Sequence, residues 1–212
     1  MAYFKNFSKL GSLLAPSILW NMPRNKNTIY LSFDDGPHPE ITPWVLNLLN
    51  DYQAKATFFC VGENILKFPE VFRQLISEGH SFGNHTNNHL KGWKTSTSQY
   101  LKNVLQAEAS ISEFRKDNDN RKLFRPPYGK IKPSQVKRLQ LLNYEIVMWD
   151  ALSADFDPSI SAENCYKNVI DNSKAGSIVV FHDSEKASEK LRTVLPRVLE
   201  YYSKKGFDFK GV

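Results

Sequence analysis

The strongest constraint in this sequence is an alternation. Short runs rich in β-branched and aromatic residues take turns with longer stretches of helical apolar spacing. Residues 28–33 read as a buried strand, and 42–51 as a helix with Pro43 suited to its first turn. The pattern then repeats. Further strands are expected at 56–61, 80–83, 122–125, 145–149, 176–181 and 207–209. Further helices are expected at 65–77, stopped by Gly79, and at 96–116, 133–142, 161–172 and 185–203. Strands separated by helices join as parallel neighbours, because a parallel connection must cross back over the sheet. About seven such units predict an α/β fold, a closed or nearly closed (β/α) barrel, with an open doubly wound sheet as the alternative.

A chain of 212 residues suits one domain with a core that needs no disulfides. Its two cysteines, Cys60 and Cys165, form no CxxC pair, and Cys60 lies in an apolar run, so buried free thiols are expected. The 28 Lys and Arg exceed the 22 Asp and Glu, for a net charge of +6. No Lys/Arg run exceeds two residues and no nucleic-acid motif is present, so nucleic acid is not expected as a partner. A modest attraction to anionic wall polymers fits the charge. No stretch approaches the roughly 18 apolar residues of a membrane helix, so no integral membrane segment is expected. Near the N-terminus Lys5 and Lys9 precede an apolar run that Pro16 and Ser17 interrupt, and no small-x-small cleavage site follows. Residues 1–27 are therefore expected to be an extension packing on a barrel domain of 28–212, rather than a cleaved signal. Compartment and oligomeric state stay open.

In parallel α/β folds the chemistry gathers at the C-terminal ends of the strands. Polar clusters follow five of the expected strands: Asp34 and Asp35 the first, Asn84 to His89 the third, Arg125 the fourth, Asp150 and Asp155 the fifth, His182 and Asp183 the sixth. His85 and His89 are four apart, a spacing that puts two imidazoles on one face of a helical turn. Two His and one carboxylate would hold one divalent ion and leave positions open for water and substrate. Asp34 and Asp35 point apart in extended chain, so one can bind the ion while the other faces the substrate water.

These clusters carry a resemblance. Ser32-Phe33-Asp34-Asp35-Gly36-Pro37, His85-Thr86-Asn87-Asn88-His89, Arg125-Pro126-Pro127-Tyr128 and Val180-Phe181-His182-Asp183 resemble, in order and spacing, motifs of the polysaccharide deacetylases. That family is also known as carbohydrate esterase family 4 or the NodB homology domain. The resemblance spans roughly residues 28–209. It implies a distorted (β/α) barrel and one divalent metal, zinc first, with cobalt, nickel or manganese as alternatives. It implies that Asp35, His85 and His89 bind the metal, that Asp34 is the catalytic base oriented by Arg125, and that His182 is the acid. The Tyr128 backbone amide would help hold the oxyanion, and Pro127, Phe156 and Val180 would line the substrate pocket.

Two positions depart from the pattern. The fourth motif reads Asp155-Phe156 where the family has Asp-Trp, and Val180 stands where a leucine is usual. Asp155 matches the residue that tunes the catalytic histidine, with Asp150 a competing candidate. Trp93, Tyr128 and Phe156 could form a sugar-stacking wall, or Trp93 could pack under its loop. His38 is expected to be exposed, His80 structural, Asn84 a support of the metal loop, and Glu63 and Asn64 helix caps. The resemblance implies a hydrolase of non-peptide carbon–nitrogen bonds. It would remove N-acetyl groups from N-acetylglucosamine-containing glycans of the chito-oligosaccharide or peptidoglycan type and release acetate. A same-fold amidohydrolase acting on a non-sugar amide or imide, or an O-acetyl esterase, is the alternative.

Overall fold

A computed structural model of the chain describes residues 8–115 and 121–212. The expected helix end at Lys116, the polar run at 117–120 and the first seven residues of the extension lie outside them. The strands are β1 (Thr28–Asp34), β2 (Thr57–Cys60), β3 (Ser81–Asn84), β4 (Lys122–Phe124), β5 (Tyr144–Ile146), β6 (Ala151–Leu152), β7 (Ile178–His182) and β8 (Asp208–Lys210). The helices are α1 (Ser8–Leu14), α2 (Ile41–Asp51), α3 (Gly62–Lys67), α4 (Pro69–Ser77), α5 (Thr97–Ser112), α6 (Pro133–Leu141), α7 (Ala162–Ile170) and α8 (Ser188–Lys204). Among the described residues no helix is long and apolar enough to cross a membrane.

The strands form one parallel sheet in the order β5-β4-β3-β2-β1-β7-β6, with β8 beside the first half of β1. This is a curled α/β sheet, a distorted barrel whose edges β5 and β6 do not pair. The N-terminal segment lies in that opening. Leu19 bonds both Ile146 and Met148 beside β5, and the Met22 amide donates to Gly176 just before β7.

Alternation along β1 sorts its side chains. Ile29, Leu31 and Phe33 join the main core beneath the helices, where the Phe33 ring stacks on Phe58 and Phe181 at 5.0 and 6.0 Å. Each such buried phenylalanine contributes roughly 1.5–3 kcal/mol. Ser32 and Asp34 face the other way, into the barrel. Within the barrel a smaller apolar cluster of Phe59, Leu123, Val147, Ile178 and Val212 fills the base, with Leu19 and Met22 packed against it. Parallel register then sets the mouth: Asp34 pairs with His182 and Asn84 with Phe124, so the residues following these strands meet in one ring.

Three expectations shift. The helix expected at 65–77 is two, because Pro69 opens α4 and the residue before a proline is driven out of the helical region; Phe68 sits at φ −131°. The strand expected at 145–149 stops at Ile146, since the Val147 and Met148 carbonyls turn to the Arg125 guanidinium. The two-residue β6 is additional, and it is too short to show any periodicity. Cys60 and Cys165 are both buried, neither in a disulfide, and burial pushes the Cys60 thiol well up.

Candidate active site

At the end of β1 the chain leaves the sheet through a turn held from several sides. Asp35 adopts φ 82°, and Asn64 Nδ2 donates to its carbonyl at 2.8 Å. The Gly36 amide donates to Asp183 Oδ1 at 3.0 Å, and the Thr42 hydroxyl donates to Asp183 Oδ2 at 2.6 Å. A Cβ on Gly36 would collide with the Asp183 carboxyl, which is why glycine stands there. Burial pushes the Asp183 carboxyl up to about 8 despite those donors.

The turn separates the paired aspartates. Asp34 stays in the barrel, where Arg125 Nη1 donates to Asp34 Oδ1 at 2.8 Å and to Ser32 Oγ at 2.7 Å. Arg125 is wholly buried; its Nε and Nη2 donate to the Val147 and Met148 carbonyls, and its Cζ lies 4.1 Å from the Phe59 ring centroid. Burial pulls its pKa down while Asp34 opposes that pull.

Asp35 turns to the histidines, with Oδ1 3.2 Å from His89 Nε2 and 3.7 Å from His85 Nε2. His85 Nδ1 sits 2.8 Å from the Arg125 carbonyl, so that nitrogen carries the proton and Nε2 keeps its lone pair. Burial lowers the His85 pKa to about 4, which keeps the ring neutral. His89 Nδ1 meets the Tyr128 hydroxyl at 3.1 Å. Asn84, as expected, braces the loop: its Oδ1 accepts from the Thr86 amide and its Nδ2 donates to the Val104 carbonyl.

Those three side chains fit a metal ion. Their ligand atoms all lie within 4.8 Å of one another. Asp35 Oδ1 is buried with no donor aligned to it, although two imidazole nitrogens stand close. Burial alone would raise the Asp35 carboxyl, but the surrounding imidazoles of His89, His182 and His85 hold it well below the usual carboxylate range. Two nitrogens and one carboxylate oxygen, on a mouth open to solvent, make an incomplete donor shell.

Across the mouth, His182 Nδ1 bonds Asp155 Oδ1 at 2.7 Å, and the His182 amide donates to Asp155 Oδ2 at 2.9 Å. Burial would lower this imidazole, but the Asp155 carboxylate, with Asp35 and Asp34 beyond it, raises the pKa to about 9. Asp150 takes no part there and pairs with Arg24 at 3.1 Å. The Phe156 ring meets His182 edge-on at 4.8 Å. Val180 and Pro127 are buried, Val180 in a cluster with Leu152 and Ala154 against which Phe156 packs.

Trp93 is 60 % exposed and donates to the Ile131 carbonyl, and Tyr128 is 45 % exposed. His38 Nδ1 accepts amides at the start of α2, and buried His80 accepts the Ala56 amide. Of the seven non-glycine residues at positive φ among those described, Asp35, Thr86, His89, Tyr128 and Ala154 lie in these loops. Strain held by surrounding structure is typical of functional sites.

Sequence reasoning missed Ser32, Asn64, and the Asp183–Thr42 pair. Ser32 carried a signal, since it lies two residues before Asp34 and shares its face. The others act through backbone groups distant in sequence, which no local pattern marks.

A parallel α/β barrel that gathers an aspartate–histidine cluster, a second clamped aspartate and a histidine–aspartate pair at one mouth defines a hydrolase. The comparisons narrow the class. The polysaccharide deacetylase family model matches residues 21–147. A peptidoglycan-N-acetylglucosamine deacetylase of Bacillus cereus is 34% identical over 92% of this chain and 91% of its own length. A chitooligosaccharide deacetylase of Azorhizobium caulinodans is 32% identical over 76% of this chain and 75% of its own. The crystal structure of a peptidoglycan N-acetylglucosamine deacetylase in complex with 4-naphthalen-1-yl-N-oxidanyl-benzamide superposes with a TM-score of 0.85, at 31% identity, covering 94% of this chain and 92% of the other. The chain belongs to the polysaccharide deacetylase family.

Proposed function

We propose that this chain is a zinc-dependent N-deacetylase of N-acetylglucosamine-containing glycans, releasing acetate and a free amino sugar. The observation that carries the reading is the pair of aspartates split by the β1 turn, Asp35 toward the histidines and Asp34 toward Arg125. The names of the relatives, peptidoglycan and chitooligosaccharide deacetylases, support the substrate class.

Asp35, His85 and His89 would hold the ion, and imidazole with carboxylate suits zinc. When bound, the ion lowers the pKa of a water and polarises the acetamide carbonyl. Asp34 takes the proton from the attacking water, and a positioned base of this kind is worth roughly 10²- to 10⁴-fold. Arg125 fixes one carboxylate oxygen of Asp34 and leaves the other to the water. The Tyr128 amide, presented from a residue at φ 61°, helps hold the oxyanion. His182 gives its proton to the amine nitrogen as the C–N bond breaks, and Phe156 walls the site beside it. The experiment is mass spectrometry of chito-oligosaccharides and peptidoglycan fragments after incubation with and without a chelator. Acetyl loss that the chelator abolishes is expected, and intact acetyl groups in all fragments would overturn the reading.

The Asp155–His182 pair also sets a pH dependence. With the His182 pKa raised to about 9, the imidazolium persists through neutral pH and is lost as pH rises through about 9. Activity that needs this proton falls on that alkaline limb. In Asp155→Asn burial prevails, so the limb in a kcat/KM profile should move to lower pH. A limb that stays in place would show that another group sets it.

A further inference from the structure

Beside the mouth, the loop after His89 and the loop after Tyr128 form one basic, aromatic ridge. Lys91 Nζ lies 4.7 Å from the Tyr128 ring centroid, and Lys130 Nζ lies 5.4 Å from that of Trp93. Tyr128 in turn touches His89 through its hydroxyl at 3.1 Å, so the ridge begins at the reacting centre. Lys91, Trp93, Tyr128 and Lys130 are all exposed. Residues 86–99 and 126–136 contain Lys91, Lys94, Lys130 and Lys132 and no Asp or Glu, although the chain as a whole holds 28 basic to 22 acidic residues.

The ridge is built rather than loose. Trp93 Nε1 donates to the Ile131 carbonyl at 3.1 Å, Gln135 Nε2 to the Gly92 carbonyl at 3.0 Å, and Lys132 Nζ to the Thr95 carbonyl at 2.8 Å. Gly92 lets the two loops meet, because a Cβ there would fall 2.6 Å from the Lys130 carbonyl oxygen. A surface already ordered spends little of its binding free energy on ordering. Exposed aromatic faces suit the C–H faces of sugars, and an ammonium held on each ring adds a positive charge where a neighbouring sugar would lie.

We propose that Lys91, Trp93 and Lys130 form a subsite for a carboxylate-bearing sugar next to the N-acetyl sugar being cleaved. The occupant is a glycan strand in which a lactyl-type carboxylate projects from the neighbouring unit. This rests on the deacetylase reading above and adds a preference for acidic over neutral strands. Two exposed ammonium–carboxylate pairs support roughly a three- to tenfold preference, and salt should erode it.

The test compares two tetrasaccharides of equal length: chitotetraose, which is neutral, and a peptide-free strand alternating N-acetylglucosamine with N-acetylmuramic acid. Acetate release gives kcat/KM for each, and intrinsic tryptophan fluorescence of the metal-loaded Asp34→Asn protein gives affinity without turnover. The expected result is a three- to tenfold preference for the acidic strand in both readouts. The ratio should fall to about 1 in Lys91→Gln/Lys130→Gln and in about 0.5 M salt. Equal handling of both strands in rate and affinity, or a preference that survives both variant and salt, would overturn the subsite. Equal affinity for glycan-free polyglutamate would overturn it too, since the ridge would then be a generic basic face. Failure of the deacetylase reading looks different: no acetate from either strand, with the fluorescence titration still deciding the subsite.

Discussion

His182→Ala should keep its metal ion at wild-type stoichiometry and lose about 10²- to 10⁴-fold in kcat, whereas His85→Ala should lose the ion itself. The two imidazoles sit across one mouth, yet their surroundings drive them in opposite directions. Burial lowers His85 to about 4, so at neutral pH it is an uncharged imidazole whose Nε2 keeps a lone pair that could hold a cation. Burial would lower His182 too, although it is somewhat more exposed than His85, but the Asp155 carboxylate 2.7 Å from its Nδ1 raises it to about 9. A charged imidazolium can donate a proton and cannot bind a cation; a neutral one can do the reverse. Environments that push two like groups apart suit one to donate a proton and the other to bind a cation. Loss of a residue that merely orients a ligand typically costs 10- to 100-fold in metal affinity, and loss of a ligand itself should cost more. Metal analysis of the two purified variants, with circular dichroism to show that both fold, decides the matter. Equal metal loss in both would end the division of labour.

Much of this was legible beforehand, for a physical reason. In a parallel sheet the strand ends are forced together, so a polar cluster after each strand already predicts a shared site. Spacing predicts that His85 and His89 meet across a helical turn, and extended chain predicts that Asp34 and Asp35 diverge. The pairs fall as expected but by other means: His85 and His89 converge through an irregular loop with Thr86 and His89 at positive φ, and Asp35 leaves the strand at φ 82°. What stayed hidden depended on contacts between distant segments. Nothing near Asp150 or Asp155 says which one reaches His182. The fold decides it, because Arg24 from the N-terminal segment takes Asp150 while the β7 end meets Asp155. The early end of β5 was equally hidden: its sequence continues as a good strand, but the Val147 and Met148 carbonyls serve a guanidinium that comes from the end of β4. Asn64 read as a helix cap because it follows a strand, but it lies within α3, whose N-cap is Val61, and its side chain donates to the Asp35 carbonyl, 29 positions away.

Arg125→Met should destabilise the fold by about 3–5 kcal/mol as well as impair turnover. For a chain of this size that corresponds to a Tm lower by roughly 6–20 °C. The guanidinium is wholly buried and satisfies four acceptors at once: Asp34, Ser32 and the carbonyls of Val147 and Met148. Methionine fills similar volume but leaves a nearly buried carboxylate without its counter-charge and two carbonyls without donors. Lysine restores charge without the planar fork, so Arg125→Lys should recover only part of the stability. The cost arises mainly from stranding Asp34, and that predicts non-additivity: Arg125→Met/Asp34→Asn should be less destabilised than Arg125→Met alone, because the uncompensated charge is gone. His85 gives a built-in control. It leans on the Arg125 backbone carbonyl, which every one of these variants keeps, so metal binding should survive where folding does. Thermal unfolding of the single and double variants, beside their metal content, tests both claims. Simple additivity of the two substitutions would mean that the buried pair is not the electrostatic unit that holds the base in place.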